Sequence, residues 1–188
     1  MGWRRPFGLA IAGLALALFA LTAHADDLGD YIQAATDCQL TNGQRQIDAC
    51  SAIIDAGDKY KEILAQFGGI TAAYKMRGHA YKEMGDYDQA IQDFDSAIAL
   101  NPKEPYFNSV RGEIYLLKGD FDRAIMDYDR VIALKPEDAF AYLTRGQVHE
   151  KHGNTEKAVA DFDRAIDLDP KDPFVLSFRG DIYLRNGD

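Results

Sequence analysis

Residues 71–102 read TAAYKMRGHAYKEMGDYDQAIQDFDSAIALNP, and the rest of the chain repeats them at a fixed step. Gly78 recurs as Gly112, Gly146 and Gly180, Gly85 as Gly119, Gly153 and Gly187, and Pro102 as Pro136 and Pro170, each 34 residues further on. Ala90, Ala124 and Ala158 keep the same step, as do Phe94, Tyr128 and Phe162, and Leu100, Leu134 and Leu168. A period of this length, held together by small, aromatic and proline residues, means stacked helical units rather than one globular core.

One unit can be built from its residues. From Thr71 to Met84 only Gly78 disfavours a helix, and Tyr74, Arg77, Gly78 and Tyr81 fall on one face. Gly85 ends that helix, and Asp86 is expected to cap the next, with Gln89 completing a capping box. A second stripe runs through Ala90, Ile91, Phe94, Ala97 and Ile98 until Pro102 stops it. Gly78, Ala90 and Ala97 lack bulk, so the two helices can approach closely while Tyr81 and Phe94 fill the space around them. Neither helix buries its stripe alone; stacking does.

The order Tyr74, Gly78, Tyr81, Gly85, Ala90, Phe94, Ala97, Pro102 closely resembles the tetratricopeptide repeat. A second copy supplies Gly112, Tyr115, Gly119, Ala124, Tyr128, Val131 and Pro136, and a third Tyr142, Gly146, His149, Gly153, Ala158, Phe162, Ala165 and Pro170. The resemblance implies an all-α fold, a right-handed superhelical solenoid of helical hairpins, with repeats at 71–104, 105–138 and 139–172 and a helix of an incomplete repeat at 173–188. It also implies an interaction scaffold, though not a particular ligand.

The chain opens as an export signal. Arg4 and Arg5 precede an apolar run from Phe7 to Leu21, and Ala23-His24-Ala25 forms a small-x-small cleavage site before Asp26. The run is short for a bilayer span, so residues 1–25 are expected to be cleaved, giving a periplasmic or secreted protein with no stable membrane insertion. Net charge is −9, and removing two arginines makes it −11. An acidic chain without a clustered basic face is not expected to bind nucleic acid.

Residues 26–70 lie outside the strict period, but QIDACSAII (Gln46–Ile54) aligns with AIQDFDSAI (Ala90–Ile98), placing Cys50 where Phe94 stands. This predicts a degenerate hairpin: a helix over about 29–40, a turn at Asn42-Gly43, an extended helix over about 44–66, and a joint at Gly68-Gly69. Cys38 and Cys50, the only cysteines, fall one on each helix. In an exported protein such a pair is most simply a disulfide. A redox-active pair is the alternative, but the spacing is not C-x-x-C and no thioredoxin-like strand pattern surrounds it.

Arg77, Arg111, Arg145 and Arg179 precede the four repeat glycines, and each second helix carries two aspartates flanking its aromatic: Asp93 and Asp95, Asp127 and Asp129, Asp161 and Asp163. At least some arginines are expected to reach these aspartates as a ladder of charge-assisted bonds; otherwise the carboxylates are simply solvated. Residues two apart on a helix point in different directions, which argues against an acid–base pair. His149 and His152 have legal metal-ligand spacing, but His149 occupies the core position of Tyr81, Tyr115 and Tyr183. No phosphate loop, serine elbow or calcium-binding loop occurs, so neither catalysis nor a cofactor or metal is expected.

What remains is surface. The resemblance assigns the groove to the first helix of each repeat: Lys75, His79 and Lys82, then Tyr106, Ser109, Glu113 and Leu116. Phe140, Leu143, Gln147 and Glu150 follow, and Phe174, Ser177, Asp181 and Leu184 complete it. Tyr106, Phe140 and Phe174 are equivalent and would form an aromatic stripe for an extended peptide or partner helix, unless they pack between repeats. Of the lysines and asparagine with which some relatives clamp a terminal carboxylate, only Lys75 is present. Residues 173–186 are expected to form an unpaired helix with an apolar face, through which two chains would pair. The expected function is thus a non-catalytic protein or peptide scaffold, with self-assembly through the last helix and a metal-dependent accessory role as the alternatives.

Overall fold

The computed structural model describes residues 29–60, 65 and 68–171. The expected signal peptide and the last helix, with Phe174, Ser177, Asp181 and Leu184, lie outside the described residues. Among the described residues eight α-helices with defined ends follow one another: α1 (29–40), α2 (Gly43–Ala56), α3 (Gly69–Glu83), α4 (Tyr87–Leu100), α5 (Pro105–Leu117), α6 (Phe121–Leu134), α7 (Ala139–Lys151) and α8 (Thr155–Leu168). From α2 onward each helix packs on the next, most extensively within the hairpins α3–α4, α5–α6 and α7–α8. The fold is all-α, a run of consecutive hairpins.

The turns inside the hairpins are three copies of one motif. Gly85, Gly119 and Gly153 take φ of +80°, +75° and +83°, a region glycine enters without steric cost. Each glycine N–H bonds the carbonyl three residues back, and the next residue's N–H bonds the one five back, at 2.8 Å for Asp86 to Tyr81, 2.9 Å for Asp120 to Tyr115 and 2.8 Å for Asn154 to His149. This is the Schellman closure of a helix C-terminus. Asp120 then caps α6 by accepting from the Arg123 N–H at 3.2 Å. Asp86 starts α4 as expected, but its side chain makes no capping bond, so the capping box with Gln89 does not form. Its ψ of 69° differs little from the 76° of Asp120, so side-chain orientation separates them.

Within each repeat the helices cross where a side chain is missing. A Cβ built on Gly78 would lie 3.0 Å from the Phe94 ring, on Gly112 3.1 Å from Tyr128, and on Gly146 2.6 Å from Phe162. Phe94, Tyr128 and Phe162 are fully or almost fully buried there. One apolar cluster continues from Ala90, Phe94 and Ala97 through Phe107, Ile114 and Tyr128 to Val148, so the core belongs to the stack rather than to a single repeat.

The arginine ladder forms. Arg77 holds Asp93 through two bonds of 2.9 and 2.7 Å, Arg111 holds Asp127 at 2.9 and 2.6 Å, and Arg145 holds Asp161 at 2.9 and 2.6 Å. These aspartates are buried. The third guanidinium nitrogen reaches back one hairpin, from Arg111 to Asp95 and from Arg145 to Asp129. Each arginine therefore ties its own hairpin together and also pins it to the one before. Hydrogen bonding to Asp127, and to Asp95, holds the Arg111 guanidinium well above its ordinary pKa. Burial pushes the carboxyls of Asp93 and Asp127 upward despite their arginines.

The first hairpin is built differently. Tyr31, Ala35 and Cys38 on α1 and Ile47, Cys50 and Ile53 on α2 are buried, and Cys38 and Cys50 form the disulfide with Cα atoms 4.9 Å apart. Ser51 stands where Asp95 does and receives Arg77 at 2.9 Å, so the ladder's backward bond survives with a hydroxyl as acceptor. The second helix does not extend to Gln66. It ends at Ala56, where Gly57 adopts φ +55°, and continues as a single tighter turn over Gly57–Tyr60. Gly68 and Gly69, at φ +87° and +72°, form the joint into α3.

Candidate functional site

The first helices of successive repeats stand side by side. His79 Nε2 on α3 lies 2.6 Å from the Tyr106 hydroxyl on α5, and Lys82 Nζ lies 2.6 Å from a Glu113 carboxylate oxygen. Tyr106 and Ser109 of α5 share a pocket with Phe140 and Ala141 of α7. Lys75, His79, Lys82, Tyr106, Ser109, Glu113 and Phe140 are thus brought together along one face.

Two pockets on this face are the same site one repeat apart. The first, about 520 Å³, is lined by Thr71, Ala72, Lys75, Asn101, Glu104 and Tyr106. The second, about 160 Å³, has Pro105, Tyr106, Ser109, Lys135, Asp138 and Phe140 at the equivalent places. Its smaller size follows from Tyr106 standing where Ala72 stands in the first. Tyr106 consequently walls both pockets.

The aromatic stripe is solvent-facing where it is described: Tyr106 is 42% exposed and Phe140 65%. Packing between repeats, the other expectation, holds in part for Tyr106, whose ring lies against His79 of the preceding repeat, while Phe140 stays largely open. Leu143 does not face the groove. It is 5% exposed and packs with Ala158, Phe162 and Ala165, because it points toward α8 at the hairpin crossing. Ser109, Leu116, Gln147 and Glu150 are half-buried.

The carboxylates around the pockets are already engaged. Glu104 accepts from the Tyr106 N–H at 3.3 Å, Asp138 caps α7 through the Ala141 N–H at 3.2 Å, and Glu113 is bonded to Lys82. Burial, with Lys82 and Lys75 nearby, holds His79 below the ordinary histidine pKa. Burial and the Glu113 charge push the Tyr106 phenol upward, so it keeps its proton. The wall therefore offers two aromatic rings, the lysines Lys75 and Lys135, the Asn101 amide and the carboxylates Glu104 and Asp138.

The histidines considered as metal ligands have separate surroundings. His149 is buried with Nε2 4.0 Å from Asp161, whereas His152 lies over Phe121 and 3.8 Å from Asp122. Among the described residues no group of three or more histidine, cysteine or acidic side chains is placed to hold a metal ion. No described helix is long and apolar enough to cross a membrane.

Two features escaped the sequence reading. The His79–Tyr106 bond joins residues 27 apart on different repeats, and no local pattern announces it. Asn108 stands where Tyr74 and Tyr142 do, and those rings lie 5.8 and 5.6 Å from Arg77 and Arg145. Asn108 is buried with its amide nitrogen unpartnered among the described residues. A polar residue in a column that otherwise reads Tyr74, Tyr142 and Leu176 was the available signal.

No curated protein sequence matches the chain significantly. Solved structures do. The first tetratricopeptide domain of Spaghetti (RPAP3) bound to the HSP90 peptide SRMEEVD is 24% identical, with TM-score 0.58 over 63% of this chain and 94% of that one. MamA is 21% identical with TM-score 0.63, covering 75% of this chain and 77% of its own. The second such domain of human RPAP3, in complex with the HSP70 peptide SGPTIEEVD, is 24% identical with TM-score 0.55 over 58% and 91%. These likenesses speak to the fold. Tetratricopeptide repeat profiles match residues 75–139 and 112–179, and with the hairpins, glycine turns and crossings described over the same stretch, the chain belongs to the tetratricopeptide repeat family.

Proposed function

We propose that this protein is a non-catalytic scaffold of the bacterial cell envelope that docks a peptide or a partner-protein segment along the face of α3, α5 and α7. The observation that carries the reading is the contrast among its aromatics. The repeat aromatics Phe94, Tyr128 and Phe162 are consumed by the core, yet Tyr106 and Phe140, also 34 residues apart, stay exposed beside two equivalent pockets. Rings held on rigid helices give contact area with little ordering cost. Likeness to domains solved with HSP90 and HSP70 peptides supports a peptide ligand. The signal-like leader and the disulfide support an exported location.

Peptides selected on the purified protein from a random display library provide the test. Phe140→Ala is expected to weaken the selected peptides by about tenfold or more while leaving the melting temperature nearly unchanged, as for an exposed anchor. Equal affinity for wild type and both Tyr106→Ala and Phe140→Ala would place docking elsewhere.

A further inference from the structure

We propose that His79 is a positioning residue for Tyr106: the neutral imidazole accepts the tyrosine hydroxyl hydrogen and holds the ring between the two pockets, and protonation reverses that bond and turns the wall cationic.

The geometry sets up a latch. His79 Nε2 and the Tyr106 oxygen are 2.6 Å apart, with ring centroids at 6.0 Å and planes tilted by 46°. Each ring is braced on its other side, His79 edge-on to Phe94 at 5.3 Å and Tyr106 edge-on to Phe107 at 5.7 Å. The bond thus connects the first repeat to the second at the one side chain that walls both pockets.

The proton balance follows from the groups present. The phenol retains its hydrogen, and with the imidazole hydrogen on Nδ1, the tautomer we assign, it donates to the Nε2 lone pair. Lys75, Lys82 and Glu83 face His79 from α3, Glu113 faces it from α5, and α4 presents the Phe94 ring. Lys82 is also bonded to Glu113. Burial first, and then Lys82 and Lys75, hold the ring below its ordinary pKa, while Glu83 and Glu113 oppose the fall. When His79 takes up a proton, Nε2 becomes a donor, the phenol oxygen must accept, and the hydroxyl hydrogen turns toward the pocket. The wall then presents an O–H donor and a new positive charge near Lys75, which suits an anionic group on a docked segment. That last consequence rests on the docking face proposed above; the latch itself does not.

A ligand-free titration of the whole protein tests it. His79 ring signals, assigned by their loss in His79→Gln, are expected to titrate below the ordinary histidine range, with Tyr106 ring signals moving at the same midpoint. In Tyr106→Phe the midpoint should fall, because the reversed bond to the protonated ring is charge-assisted and stronger than the neutral bond it replaces, and both are gone. An unchanged midpoint in Tyr106→Phe, or Tyr106 signals indifferent to the titration, would overturn the latch. Repeating the wild-type titration with millimolar tetraglutamate should raise the midpoint by linkage. A latch that titrates as expected but ignores tetraglutamate would overturn the anionic preference instead, so the two failures read differently.

Discussion

The first hairpin and the regular repeats solve the same crossing by different chemistry. In α3–α4, α5–α6 and α7–α8 a glycine admits an aromatic ring, and an arginine clamps the aspartate beside that ring. In α1–α2 the ring position is taken by Cys50, bonded to Cys38, and Ala49 stands where the clamped aspartate would be. Among the described residues α2 packs on α3, whereas α5–α6 lies between α4 and α7. A buried ring and a buried ion pair both need neighbours to exclude water. A disulfide acts largely on the unfolded chain and needs no such exclusion of water. The difference teaches that the ring and clamp of the regular repeats can be replaced at the same crossing by a covalent bond.

The comparison is broken most forcefully at the clamp. Asp127→Ala leaves the buried part of Arg111 without its bidentate partner and should destabilise the protein by about 3–5 kcal/mol. Urea denaturation reads this directly. Replacing both partners with apolar residues of similar size should recover most of the loss, since such a pair gives register rather than net energy. If the double replacement were as damaging as the single one, the clamp would be a true stabiliser. A smaller effect is expected in the first hairpin. Cys38→Ala with Cys50→Ala should cost about 3 kcal/mol for a closed loop of this length. Hydrogen exchange should localise that loss to 29–60, with α4 to α8 still protected; exchange rising evenly along the chain would mean the disulfide supports the whole stack.

How much of this was legible from sequence depends on whether a contact stays inside one repeat. The turn at Gly119, the Gly112–Tyr128 crossing and the reach of Arg111 to an aspartate are local, and a 34-residue step displays them three times over. Contacts between repeats depend on how one hairpin sits on the next, which the period does not specify. That is why the division of labour between Asp127 and Asp95, the bond from His79 to Tyr106 and the role of Ser51 emerged only from the structure. Leu143 was misplaced for a related reason. A helix face read as a stripe is wide, and a position at its edge can turn toward the partner helix. The early end of α2 reflects Gly57, whose positive φ outweighs the apolar residues beyond it.

The comparison can be sharpened inside the repeats, where the third departs from the first two. His149 occupies the column of Tyr81 and Tyr115, buried, with Nδ1 unpartnered among the described residues and Nε2 4.0 Å from Asp161, whose carboxylate already serves Arg145. Burial is the main reason its pKa falls below the ordinary value; Asp161 and Asp129 oppose the fall while Arg145 and Lys157 add to it. The unfolded chain therefore binds a proton more readily than the folded one. The stability this group contributes is present above about pH 6.5 and is lost as pH drops through the folded value. Wild type should melt at a lower temperature near pH 5.5 than near pH 7.5. His149→Tyr, which installs the residue of the other two repeats, should melt higher at both pH values and lose part of that pH dependence, the remainder belonging in part to His79. An undiminished pH dependence in His149→Tyr would show that the buried imidazole is not its source and that the third repeat closes on the same terms as the others.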